Sequence, residues 1–288
     1  DGRRLIRGGV MDPRPVKDSV RVLFYNHQMH QHSRTENETL AVKHVNEVRD
    51  DFALRGRCES YRVDLKSMAS ANQLHQGTNL TGHRVYAPYS HFQKLLTIRN
   101  LPADEELLDV LEFFTDHSDP QLFMDRHALS RSEFRKLAQP LIRSGHLVQD
   151  YRGGFRTVHP TIATDHWQFK QDYLIELIKK IPVITMKQCE KMAGKPYMPE
   201  EIMTVLQHLV DEGEFIKGFL LEDLNQVCWG RKEMLESASN IEKMRDFVLP
   251  PSDPLAPYFA KLLRERFGFG SAYLVFFDEE PIAAFKAN

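Results

Sequence analysis

A chain of 288 residues with 42% hydrophobic and 27% charged side chains has the make-up of an ordinary globular protein and the length for two or three modest domains. No apolar run approaches the roughly 20 residues of a membrane helix, and no signal-peptide pattern opens the chain, so the expected location is cytoplasmic, close to the nucleoid. Three widely spaced cysteines (Cys58, Cys189, Cys228) exclude a disulfide framework and a zinc ribbon and are read as reduced, mostly buried thiols.

The formal net charge of −2 hides an uneven distribution. Residues 100–120 hold seven carboxylates and no Lys or Arg, whereas residues 121–160 hold seven cations against three carboxylates. Opposite faces of one domain are therefore expected to carry opposite fields.

In chain order, "SVRVLFYN" reads as a strand and "ENETLAVKHVNEVRDDFAL" as an amphipathic helix, with Leu40, Val42, Val45 and Val48 near helical spacing. "ESYRVDL" reads as a second strand, and residues 65–80 fit helix or strand equally. The expectation for residues 1–98 is an α+β region. The histidines of "NHQMHQH" (His27, His30, His32) lack a neighbouring carboxylate or cysteine and read as a solvated loop, so no metal and no cofactor is expected.

Helices are expected over 104–115, near 118–127 and over 130–144, the last opened by a capping-box pattern of Ser130 with Glu133 and stopped by Gly145. A strand over 146–150, a turn at Arg152-Gly153-Gly154 and a returning strand over 155–158 follow. Three helices and a hairpin outline a winged helix.

A shift of 68 residues repeats the unit. It takes Leu141, Ile142, Gly145, Leu147 and Val148 to Leu209, Val210, Gly213, Phe215 and Ile216. It also takes Phe134, Leu137, Leu107, Val110 and Phe113 to Ile202, Val205, Ile175, Ile178 and Ile181. The second copy reads as helices over 172–181, 185–193 and 199–211, then a hairpin. A polar helix over 230–246, a rigid linker "LPPSDPLAP", an amphipathic helix ending at Gly268 and a hairpin "SAYLVFF", "DEEP", "IAAFKA" complete the chain. The expected fold class is α+β: tandem winged-helix units over 99–165 and 166–235, then 236–288 as linker, helix and the start of a β-barrel-like sheet. The opening Asp and the end just after a hairpin lead us to expect a piece of a longer protein.

The first winged unit is the expected nucleic-acid contact. Arg131, Arg135 and Lys136 fall opposite Phe134, Leu137 and Leu141, and Arg152 and Arg156 flank Gly153 and Gly154, where backbone can approach phosphate. The competing reading is a protein-docking module. The second wing, "IKGFLLEDLNQVCW", carries Glu222 and Asp223 and would repel phosphate, so it either packs on another domain or offers Phe219 and Leu220 as wedges between unstacked bases. No G-x-x-x-x-G-K-[ST], G-x-S-x-G or H-E-x-x-H occurs, which leaves no P-loop motor, hydrolase elbow or zincin site in these residues. Asp253, Gln226 and Asp278 stand as dispersed polar candidates that are equally caps or turn residues.

Four stretches in this order, "PLIRSGHLVQDYRGGFR", "LVDEGEFIKGFLLEDLNQVCW", "DFVLPPSDPLAPY" and "FGSAYLVFFDEEPIAAF", resemble the C-terminal region of Lhr-type large helicases and the AlkZ-like winged-helix DNA glycosylases. The stretch from "VRVLFYNHQMHQ" to "HVNEV" resembles a segment downstream of the Lhr motor. The resemblance implies tandem winged helices and a β-barrel bound to duplex or partly single-stranded DNA in repair, with helicase motor domains or further copies of the chain as partners. The AlkZ branch carries Q-x-Q, whereas this chain has only Q-x-x-Q, at Gln28/Gln31, Gln73/Gln76 and Gln168/Gln171. Uracil excision in the Lhr branch is attributed to an aspartate, for which Asp253 and Asp278 are the nominees. Three functions follow: a DNA-binding repair protein excising damaged or uracil bases, a non-catalytic DNA clamp or docking region of an ATP-dependent helicase, and a winged-helix transcription regulator.

Overall fold

The computed structural model describes residues 47–49, 51, 62–99, 104–150, 152–181, 183–220, 227–236, 246–253, 255–277 and 280–286. The strand expected over 19–26, the histidines at 27, 30 and 32, the glutamines at 28, 31 and 226, Cys58, and Asp278 lie outside them.

The described fold is mixed α and antiparallel β, built on three small sheets. The helix expected over "ENETLAVKHVNEVRDDFAL" is not what residues 47–49 form. Val48 is extended and exchanges both backbone hydrogen bonds with Tyr86, at 2.9 and 2.7 Å. Residues 62–64 likewise lead into a helix rather than a strand: α1 (Leu65–Ser70) opens where the Asp64 carboxylate accepts from the Ser67 amide at 2.7 Å. Then come β1 (His75–Thr78), β2 (Arg84–Ala87) and α2 (Tyr89–Ile98).

The first helical unit is α3 (Glu105–Asp116), α4 (Pro120–Arg126), α5 (Arg131–Ser144), β3 (Leu147–Gln149) and β4 (Phe155–Thr157). The strands join the preceding hairpin in one sheet of order β2-β1-β3-β4. Side chains alternate across this sheet. Leu147 and Phe155 enter the core of the unit, a cluster of Phe113, Phe114, Phe123 and Phe134 with ring centroids 5 to 6 Å apart. Val148 enters a different core, with Val85, Ala87 and α2. The sheet is thus buried on both faces.

The second unit is α6 (His166–Lys179), β5 (Val183–Thr185), α7 (Met186–Ala193), α8 (Pro199–Asp211), β6 (Phe215–Gly218) and β7 (Cys228–Arg231). Its sheet order is β5-β7-β6. The 68-residue offset carries α5 onto α8 and β3 onto β6, but it breaks at both ends of the unit. The first helix begins at His166 rather than near residue 172, and a strand, β5, fills the gap expected between the first two helices and takes Thr185 from the second. In the first unit this strand shrinks to one backbone bond, Phe155 amide to Ser118 carbonyl at 2.7 Å.

The polar helix expected over 230–246 reduces to α9 (Lys232–Glu236) among the described residues. Just before the Pro-rich stretch read as linker, and taking its first residue Leu249, runs a strand, β8 (Phe247–Leu249), which pairs with β9 (Tyr273–Phe277) and so gives the terminal hairpin β9–β10 (Glu280–Phe285) a third strand. A 3₁₀ turn (Ala256–Phe259) leads into α10 (Ala260–Phe267), which ends at the left-handed Gly268. Leu255, Tyr258, Phe259, Leu263, Leu274 and Phe276 form the core here, and it reaches into the second unit through Val183, Leu220 and Cys228.

Candidate nucleic-acid interface

Helix α5 is fixed from both ends. The Ser130 hydroxyl accepts from the Glu133 amide at 3.3 Å and donates to the Glu133 carboxylate at 2.5 Å, the Ser130 amide donates to the same carboxylate at 2.8 Å, and the hydroxyl bond, then the amide bond, hold Glu133 below the ordinary carboxylate range. At the other end Gly145 takes φ +84°, the left-handed conformation a β-carbon disfavours. Phe134, Ala138 and Leu141 point inward, and Arg131, Arg135 and Lys136 are exposed, as the spacing predicted. Gln139 and Arg143 share the outward face with Lys136, about one and two turns beyond it, and Arg143 extends the cationic row beyond the residues nominated from sequence. None of Arg131, Arg135, Lys136 and Arg143 forms an ion pair among the described residues.

The β3–β4 hairpin closes in a tight turn. The Asp150 amide donates to the Gly154 carbonyl at 2.9 Å, the Asp150 carbonyl accepts from the Gly153 amide at 3.3 Å, and the Asp150 carboxylate accepts from the Gly154 amide at 2.8 Å. Gly153 sits at φ +89°. A β-carbon on Gly154 would stand 2.7 Å from the Asp150 carboxylate and 3.1 Å from the Ser118 carbonyl. Local geometry therefore explains both glycines, and the Gly154 amide already has an anion, so phosphate contact at this wing falls to side chains. Arg152 is exposed on the turn. Arg156, also exposed, lies on the sheet face opposite Phe155, so it projects away from the α5 side. There its charge and, more strongly, burial hold the buried His75 below the usual imidazole range. The two arginines that sequence placed together are on different faces.

Phe219 and Leu220 diverge as well. Phe219 is 54% exposed, while Leu220 is buried and fills the space above Gly230, where a β-carbon would meet its methyl at 2.6 Å. Leu220 anchors the wing instead of standing at its tip, which leaves Phe219 as the wedge nominee. Asp253 is 3% exposed. Its carboxylate accepts from the Leu255 amide at 3.0 Å and its carbonyl from the Ala256 amide, so it caps the 3₁₀ turn with no face open to a sugar. The catalytic nomination of Asp253 meets a structural residue. The thiols of Cys189 and Cys228 are buried and pushed up to about 12 and about 11.

Sequence reading missed the polar knot where the β1–β2 hairpin meets both units, because its members lie far apart in the chain. Glu47 binds the His91 ring at 2.9 Å and the Asn79 side-chain amide at 2.6 Å, and these partners keep it ionised against a desolvation that opposes them. Arg99 donates to the carbonyls of Asn79, at 2.6 Å, Thr78 and Ser144. His146 is buried beside this cation, with its Nδ1 2.7 Å from the Ser144 hydroxyl, and burial and the Arg99 charge lower it to about 4.

Among the described residues no helix is long and apolar enough to cross a membrane, and no three His, Cys, Asp or Glu side chains gather as metal ligands. No family model matches the chain, and no curated protein matches it. Among solved structures, the DNA glycosylase AlkZ of Streptomyces sahachiroi is similar over 93% of this chain and 86% of its own, with a TM-score of 0.64 and 11% identity. The sequences are dissimilar while the path of the backbone is shared: this chain has an AlkZ-like fold.

Proposed function

We propose that this protein binds DNA through its first helical unit and acts in DNA repair. The two units are winged helices over 99–165 and 166–235, and the sheet of β8, β9 and β10 belongs to a third region. The observation that carries the reading is the outward face of α5. Arg131, Arg135, Lys136 and Arg143 stand exposed and without ion pairs among the described residues, next to a wing that exposes Arg152. Long flexible cations held on a rigid helix suit phosphate contact, and a likeness of fold to a DNA glycosylase supports the same partner. Base excision would require a flipped nucleotide, an apolar side chain filling the gap, for which Phe219 serves, and a carboxylate near the sugar. The test is binding of a duplex across a salt series, followed by alkaline cleavage of uracil- and alkylbase-containing strands with the full-length protein. Salt-dependent binding with cleavage supports excision, and no binding at low salt refutes the proposal.

A second reading, a DNA clamp without base chemistry, is favoured by the position of Asp253. A carboxylate held in a buried turn is a cap, and Asp278 is then the remaining nominee of the two. Binding without cleavage selects the clamp.

A further inference from the structure

A second group of cations lies outside the first unit. The β1–β2 turn is tied by Asn79, whose Oδ1 accepts from the amides of Thr81 and His83 and from the Thr81 hydroxyl, at 2.8 to 3.1 Å, while its backbone amide donates to the His83 carbonyl. Its far end, Gly82 at φ +79°, faces open space. The near end abuts the second unit: the Leu80 carbonyl lies 2.6 Å from where a β-carbon on Gly194 would be, so the end of α7 closes directly on the turn. Near that contact Arg49, His83 and Lys191 are exposed and within one another's reach, Lys195 is exposed one residue past Gly194, and Lys187 is exposed farther along α7; the Arg84 guanidinium instead turns back along the sheet to the Gln76 and Gln149 side chains. Lys187 and Lys191 are one helical turn apart on α7. Partial burial, then the charges of Arg49 and Lys191, hold His83 below its ordinary value, which places these groups within one another's fields.

Among the described residues the carboxylates closest in the chain to these cations are Glu47, Asp51 and Glu190, and Asp51 accepts from the Leu65 amide at 2.9 Å. Glu47 is committed to His91 and Asn79, and Glu190 is exposed on α7. Because Asn79 takes the amides of Thr81 and His83, an anion here meets side chains rather than a backbone nest. We infer that this saddle, formed by the β1–β2 turn and α7, is a second contact for the phosphodiester backbone of the nucleic acid bound by α5. The inference rests on the DNA-binding reading and extends it to the second unit. The hairpin sets the spacing. Gln76 lies opposite Gln149, so the wing after Gln149 leaves the sheet at the His75 end of β1, while the saddle lies beyond its Thr78 end. Four residues of strand separate the ends by roughly 13 Å, less than the ~34 Å of one turn of duplex.

The experiment uses the full-length protein and a duplex of about 20 base pairs. The slope of log K against log salt is compared for the wild type, Lys187→Ala/Lys191→Ala, Lys187→Arg/Lys191→Arg, and Lys136→Ala/Arg152→Ala. Loss of two phosphate contacts reduces the slope by about 2. The expected result is that reduction in both alanine pairs, retention of the slope in the arginine pair, and an unchanged urea midpoint in all. A slope unchanged in Lys187→Ala/Lys191→Ala but reduced in Lys136→Ala/Arg152→Ala overturns the saddle and leaves the DNA reading standing. A wild type that binds no duplex at low salt removes both.

Discussion

The carbonyl oxygen of Leu80 lies 2.6 Å from the point a β-carbon on Gly194 would occupy, and Gly194 has φ +71°. Both the contact and the dihedral exclude a side chain there. Gly194→Ala must move the hairpin turn off α7 and strain the backbone, at a cost of about 1–3 kcal/mol. Gly82→Ala, with a similar dihedral but open space around it, is expected to cost about 1 kcal/mol. Urea midpoints of the two variants test the difference, and equal losses would mean that the close approach is irrelevant.

Leu220 and Phe219 are neighbours in sequence with opposite surroundings. Leu220→Ala opens a cavity against Gly230 and Leu235 and is expected to cost 2–5 kcal/mol. Phe219→Ala should change stability by less than about 0.5 kcal/mol while weakening the distortion of bound duplex, read from a fluorescent base analogue. Unchanged distortion sinks the wedge role.

Asp253 divides cap from catalyst. Asp253→Ala removes the acceptor for the Leu255 amide and should cost about 1–2 kcal/mol, whereas Asp253→Asn keeps an acceptor and most of the stability. If Asp253→Asn instead folds normally and abolishes strand cleavage by an otherwise active protein, its carboxylate takes part in chemistry.

His146 sets an acid limit. Its folded value of about 4 lies below the usual 6.5, so between those values the unfolded chain binds more protons and stability falls as the pH drops from about 6.5 towards 4. Glu47, lowered from 4.5, adds a further loss below that point in the same direction. Melting temperatures across this range should fall less steeply in His146→Gln than in the wild type, and parallel curves would remove His146 as the cause.

Local signals made the helices legible. The Ser130 and Glu133 pair gave the start of α5 to the residue, and Gly145 its end, because capping and left-handed turns are encoded within a few positions. The first hairpin was not legible. β1 is four residues, HQGT, with no alternation to mark it; it is held by full pairing with β2 across a short turn and by one pairing with Gln149, 73 positions away. The strand β8, three residues just ahead of a Pro-rich stretch, was not legible either, because its partners, Leu274 to Phe276, lie far along the chain. The α5 face was readable because helical periodicity sorts its residues. Arg156 parts from the α5 side because one position along a strand reverses a side chain's face, which puts it opposite Phe155. The saddle requires three segments at once, and no single window contains them.

Leu147 and Val148 are consecutive, both fully buried, and belong to different cores. The sheet between them is a party wall: neither room can be emptied without exposing the other's lining. A fragment cut to begin at residue 99 would keep the helices of the first unit yet strip two strands from beside β3 and leave Val148 and Val158 facing water. The natural unit of unfolding, and of any rigid movement on a bound partner, is consequently larger than the sequence repeat.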